Sequence, residues 1–152
     1  MGSSGVVERN ELCNLIPHSG LMCLIDKVEQ WSEKHIVCYS DTHKAANNPL
    51  RSSDILPTSA LIEYGAQAMA IHGGLIAQMS GNVIKQGYLA ALRDVTMDDC
   101  DVSQIGHSLC IEAEQLMASE GNMIYNFCVK ANAEILVSGR ATVVAILDNE
   151  EC

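Results

Sequence analysis

The sequence predicts an α+β domain in which one long, enclosed helix is wrapped by a largely antiparallel β-sheet. Three observations carry that expectation. From Ile55 to Met79 the text ILPTSALIEYGAQAMAIHGGLIAQM is apolar almost all round a helix, not in one stripe, which marks a helix surrounded by the rest of the protein. After it the hydrophobic period changes to two and stays there through four long stretches. No linker, low-complexity run or internal repeat divides the 152 residues, so residues 10–149 are read as one domain and residues 1–9 as a disordered or expression-derived leader.

The elements follow in order. Val7 to Leu15 carries apolar residues at helical spacing and stops at Pro17, which predicts a short N-terminal helix. A turn at His18-Ser19-Gly20 leads into an apolar loop or short strand from Leu21 to Val28. Lys34 to Thr42, KHIVCYSDT, alternates and is β-branched, as a strand should be. Residues 43–54, HKAANNPLRSSD, are polar with Asn-Asn-Pro as a turn signal, and form the loop feeding the helix. Pro57 suits the entry turn, Thr58 or Ser59 offers a capping hydroxyl, and Gly81-Asn82 is the stop, so the helix spans about 21 residues and roughly 31 Å. Gly87 to Met97, His107 to Ala118, Asn122 to Asn132 and Glu134 to Leu147 are the four strands. Turns between them fall at residues 103–106, at Glu120-Gly121 and around Asn132-Ala133. Tyr125, Phe127 and Val129 share one face of the third.

Composition excludes several functions. A net charge of −10 with nine Lys and Arg argues against nucleic acid or an anionic membrane surface as the main partner. Glu63, Gln67, His72 and Gln78 interrupt the central helix, so it does not read as a membrane span. Seven Cys, at 13, 23, 38, 100, 110, 128 and 152, include no CxxC pair and no Cys/His ligand spacing. They read as reduced, mostly core cysteines of a cytoplasmic protein, with no metal and no cofactor expected.

Glu63 is the residue that needs a reason. It sits near the end of the first helical turn among Leu61, Ile62 and Tyr64, where an unpartnered carboxylate costs several kcal/mol. Gln67, four residues on, shares its face and can orient it. The pair is one polar spot on an apolar rod, open to a structural or a functional explanation.

Three stretches carry a resemblance. LIPHSGLMCLIDKV (Leu15 to Val28), LPTSALIEYGAQAMA (Leu56 to Ala70) and GYLAALRDVTM (Gly87 to Met97) resemble, in that order, the opening, helix and tunnel-strand motifs of the β-hydroxyacyl-acyl-carrier-protein dehydratases of type II fatty acid synthesis. The resemblance covers roughly residues 10–147 and implies the hotdog fold. The loop THKAANNPLR and the helix text IEYGAQAMAIHGG are closer to a divergent branch, the dehydratase-like proteins of aryl-polyene and related type II polyketide clusters.

That resemblance implies a chemistry. Dehydration of a β-hydroxyacyl thioester needs a base for the α-proton, an acid for the departing hydroxyl and donors for the thioester oxygen. It places the acid at Glu63 and the helix glutamine at Gln67, with the N–H groups near Thr58, Ser59 and Ala60 as oxygen-binding donors. The family's base His falls at position 49, which is Pro49 here, and its helix-opening Pro-Gly is Pro57-Thr58. His43 and His72 compete for the vacant role. His72 stands nine residues after Glu63, on the opposite side of the helix, and suits the core; His43, in the loop, is the preferred base. His18 matches a structural turn of the family, and His35 and His107 receive no role. Arg51 and Lys44 lie in the same loop, where Arg51 can meet a phosphopantetheine phosphate or an acidic carrier protein.

The expected activity is thus dehydration of β-hydroxyacyl thioesters on acyl carrier protein or coenzyme A, by a homodimer or higher hotdog oligomer, or by a heterodimer with a related dehydratase. Two alternatives stay open: a hotdog acyl thioesterase, in which Glu63 activates water, and a non-catalytic partner subunit of a dehydratase heterodimer.

Overall fold

The computed structural model describes residues 5–16, 22–81 and 84–147. Its centre is helix α2 (Leu61–Met79), which packs on an antiparallel sheet. Among the described residues the sheet has seven strands. In spatial order they are β1 (Val7–Glu8), β2 (Lys27–Trp31), β3 (His35–Ser40), β5 (Leu109–Ser119), β6 (Asn122–Ala131), β7 (Glu134–Leu147) and β4 (Ile84–Met97). A single turn of helix, α1 (Arg9–Leu12), follows β1.

Helix α2 is enclosed as its composition requires. Leu61, Tyr64, Gly65, Gln67, Ala68, Met69, Ile71 and His72 are buried over one broad face, and Gly73, Gly74 and Ala77 extend the buried surface round the rest of the axis. Strands β3 to β7 cover one side. The N-terminal segment covers another, where Gly74 leaves room for Leu15: a Cβ there would stand 3.2 Å from the Leu15 Cβ. On β6, Tyr125, Phe127, Val129 and Ala131 face the helix, matching the alternation in the sequence.

The hairpins follow from their turn residues. Glu120 and Gly121 (φ 50° and 85°) join β5 to β6, and Asn132 and Ala133 (φ 52° and 70°) join β6 to β7. Two consecutive left-handed residues match the twist of paired strands. Gly81 (φ 75°) ends α2, its N–H donating to the Gln78 carbonyl.

The entry to α2 departs from expectation. Neither Thr58 nor Ser59 caps it, because a 3-10 turn (Thr58–Ala60) extends the helix backwards and Ala60 N–H donates to Pro57 O at 3.0 Å. The Thr58 hydroxyl instead donates to Asp98 O at 2.6 Å, tying the helix entrance to the loop after β4. A second strut comes from Asp101, whose Oδ1 accepts from Leu56 N–H at 3.0 Å and from Ser103.

The N-terminal region also differs. Val7 and Glu8, read from sequence as part of a leader and a helix, pair with Val28 and Lys27, which leaves the helix only one turn. Sheet pairing here outweighs local periodicity. Strand β2 begins at Lys27, near the end of the stretch Leu21 to Val28 expected as an apolar loop or short strand, and runs on to Trp31. The expected turn at His18 lies outside the described residues.

The expectation that every cysteine is reduced is corrected. Cys13 and Cys23 form a disulfide, because α1 and the segment before β2 run side by side with these Cα atoms 5.9 Å apart, within bridging range. Cys38, Cys100, Cys110 and Cys128 are free thiols.

Candidate active site

The site is built on the first turns of α2, where Glu63 and Gln67 share a face. Gln67 is 1% exposed and uses all of its amide. Its Oε1 accepts from Leu24 N–H at 2.8 Å, and its Nε2 donates to Met22 O at 2.7 Å and to Glu63 Oε2 at 3.2 Å. A flipped amide would set its oxygen against a carbonyl and a carboxylate, so the network fixes its orientation. Gln67 thereby clamps the segment 22–24 across the helix and aims the half-buried Glu63 carboxylate.

A second polar web holds the same segment. Leu24 O accepts from Ser40 Oγ (2.6 Å) and Thr42 Oγ1 (2.8 Å). Thr42 Oγ1 also meets the Tyr64 hydroxyl at 2.7 Å, which accepts from Asn48 Nδ2 at 2.9 Å. Tyr64 is fully buried next to Glu63, so the helix turn that carries Glu63 is bolted to the end of β3 and to the 43–54 loop. Sequence reasoning missed Tyr64, Asn48 and Thr42. Each reads singly as an ordinary polar or aromatic residue, and their convergence exists only in three dimensions.

The histidines separate clearly. His43 is fully buried in a 3-10 turn (Thr42–Lys44), its Nε2–H donating to Ile105 O at 3.0 Å while Nδ1 has no partner among the described residues. It makes no hydrogen bond to Glu63. Burial pushes its pKa below the usual histidine value against the pull of the Ile105 carbonyl, so the ring is neutral with an open Nδ1 lone pair. His72 is likewise fully buried and is a core residue, as its helical position implied. Its Nε2–H donates to Ser32 O at 2.8 Å, and Nδ1 accepts from the Tyr125 hydroxyl at 2.7 Å. Burial lowers the pKa of His72 and pushes that of Tyr125 up to about 12.

The cations of the loop are engaged with the protein itself. Arg51 donates from Nε to Ala45 O at 2.9 Å and more weakly to the carbonyls of Lys44 and Asp54. Lys44 pairs with Asp41 at 3.2 Å on the surface. Of the proposed donors at the helix entrance, the N–H of Ala60 is used within the 3-10 turn, Thr58 is nearly buried and Ser59 is exposed. The structure thus joins Glu63 to Gln67 and leaves His43 and Arg51 in the adjoining loop. No described helix is long and apolar enough to cross a membrane, and no described cluster of His, Cys, Asp or Glu is placed to hold a metal ion.

Comparison with solved structures places this architecture. The dehydratase heterocomplex ApeI:P from Xenorhabdus doucetiae matches with a TM-score of 0.80 at 22% identity, over 91% of this chain and 93% of that one. A thioesterase mutant from Pseudomonas aeruginosa matches at 0.53 with 9% identity, covering 81% of each chain. An uncharacterized protein from Pyrococcus horikoshii matches at 0.54 with 12% identity, over 81% of this chain and 84% of that one. The fold is the hotdog fold. No curated protein matches the chain by sequence. The family model described as ApeP-like, ApeP dehydratase, matches residues 10–151, and the chain therefore belongs to the ApeP-like dehydratase family.

Proposed function

We propose that this chain dehydrates β-hydroxyacyl thioesters on acyl carrier protein, in aryl-polyene-type biosynthesis, as one subunit of a heterodimer with a related hotdog dehydratase. Glu63 is the acid that protonates the departing hydroxyl. The observation that carries the reading is the Gln67 clamp: a buried amide fixed by two backbone hydrogen bonds, to Leu24 and Met22, that gives its third to the Glu63 carboxylate, in a family of dehydratases.

Two features favour a shared site. His43 keeps an open Nδ1 lone pair but is sealed from solvent, which favours a base supplied by the partner subunit. Strand β4 is a 14-residue sheet edge paired on one side by β7, with Tyr88, Leu92 and Met97 exposed. Edges of that length and apolar content are normally covered by another chain. The match to a solved heterocomplex of two dehydratase chains supports the same arrangement.

The test is mass spectrometry of β-hydroxyacyl carrier protein incubated with the chain alone, with a related dehydratase subunit, and with both. Loss of one water that needs both chains and disappears with Glu63→Gln is the expected result. Water loss by the chain alone would move the base back to His43, and release of free acid would select the thioesterase.

A further inference from the structure

The Cys13–Cys23 disulfide has no part in the chemistry above, yet it lies one residue from the clamp. Cys23 is fully buried between Met22 and Leu24, the two residues whose backbone the Gln67 amide grips. Cys13 is the C-cap of α1 and half-exposed, so the bond can be approached from that side. The opposite end of α1 is tied to the same segment, for Arg9 Nη1 donates to Ile25 O at 3.1 Å and to Asp26 at 3.2 Å. Residues 22–26 are thus pinned from outside at two points and read from inside by Gln67.

We propose that the Cys13–Cys23 disulfide is a positioning element of the site: it holds Met22 and Leu24 in register with Gln67, which in turn aims Glu63, so that thiol–disulfide state sets catalytic competence. The inference rests on the reading of Glu63 as the acid. Reduction by a dithiol breaks one S–S bond, places a proton on each of Cys13 and Cys23, and leaves the reductant as its cyclic disulfide; two electrons and two protons balance the exchange. Freed of the tether, residues 22–26 keep their core packing and the Arg9 contacts but lose the covalent brace beside the two backbone groups that orient the Gln67 amide. The carboxylate then samples directions other than the productive one, which lowers turnover more than binding.

The experiment pairs the chain with its dehydratase partner and measures turnover before and after dithiothreitol, with thiols counted by alkylation and mass spectrometry. Reduction should convert two further cysteines to alkylatable thiols, lower kcat roughly ten- to a hundredfold with KM little changed, and be reversed by glutathione disulfide. Cys13→Ser should start at the reduced level and ignore dithiothreitol. Amide hydrogen exchange at Leu24 should speed up on reduction while exchange in β5 and β6 stays slow. Equal turnover in the oxidised and fully reduced wild type would overturn the proposal and leave the dehydratase reading standing, as would a lower Tm with unchanged kcat. Seven reactive thiols before any reductant would overturn it as well. If no dehydration occurs in either state, the dehydratase reading fails, and Leu24 exchange still decides whether the disulfide governs the clamp.

Discussion

The Phe127 ring lies so close to Gly65 that a Cβ added to the glycine would stand 2.6 Å from the ring's Cδ2. The ring is itself buried, 3% exposed, with Gly139 packed near its Cε1, so it has little room to shift. Gly65→Ala should therefore destabilise the chain by about 1–3 kcal/mol, although alanine favours helix by roughly 0.5–1 kcal/mol. Because Gly65 lies between Glu63 and Gln67, turnover should fall with it. Denaturant unfolding checks this, and a more stable variant would show that helix propensity outweighs the contact.

Glu63→Gln keeps an oxygen that can accept from Gln67 but no longer donates a proton to a leaving hydroxyl. Dehydration by the complex should fall by at least roughly a hundredfold while Tm moves little. Gln67→Leu should do the opposite in part: it strands Leu24 N–H and Met22 O and costs about 2–4 kcal/mol of stability, with activity reduced through the misplaced acid. Retained turnover in Glu63→Gln, assayed by mass spectrometry, would remove Glu63 from the reaction.

His43 and His72 make stability depend on pH. Both have pKa values lowered by burial from an ordinary value of 6.5. Below about pH 6.5 the unfolded chain binds protons that the folded chain refuses, so stability falls as pH drops and the loss ends only below the depressed folded values. Each unit of depression contributes about 1.4 kcal/mol. Above pH 7 these groups add no slope. Urea unfolding at pH 7.5, 6 and 5 should show the decline, and His43→Gln should flatten it; an equal slope in wild type and variant would mean that other groups carry it.

Strand β4 supplies a test of assembly. Tyr88 and Leu92 are 51% and 37% exposed, so Tyr88→Lys with Leu92→Lys should leave the isolated chain's Tm almost unchanged. Mixed with the partner subunit, the double variant should elute as separate chains in size-exclusion chromatography where the wild type co-elutes. Co-elution of the variant would place the interface elsewhere.

The fold was legible where local physics and global structure agree. The all-round apolar run from Leu61 to Met79 could only be an enclosed helix, and period-two text with Glu120-Gly121 and Asn132-Ala133 could only be hairpins. Glu63 and Gln67 were legible because a carboxylate on an apolar helix demands a partner one turn away. The Met22 and Leu24 contacts were not, since they use backbone atoms, and every residue has those. The disulfide was missed because ten residues separate its cysteines without any recognisable motif. Thr58 failed as a cap because the 3-10 turn ahead of α2 depends on Asp98 and Asp101, some forty residues downstream.

Leu24 gathers contacts from Gln67, Ser40 and Thr42, across sequence separations of 43, 16 and 18 residues. The hairpins from β5 to β7 close over two-residue turns and need no distant partner. Short loops close sooner than long ones, so the meander and the helix are early structures and the knot at Leu24 is among the last to form. With Glu63 as the proposed acid, catalytic competence arrives at the end of folding: a chain that stalls with its β5–β7 meander complete but residues 22–26 adrift carries the carboxylate without its aim, and turnover becomes a proofreader of the finished molecule.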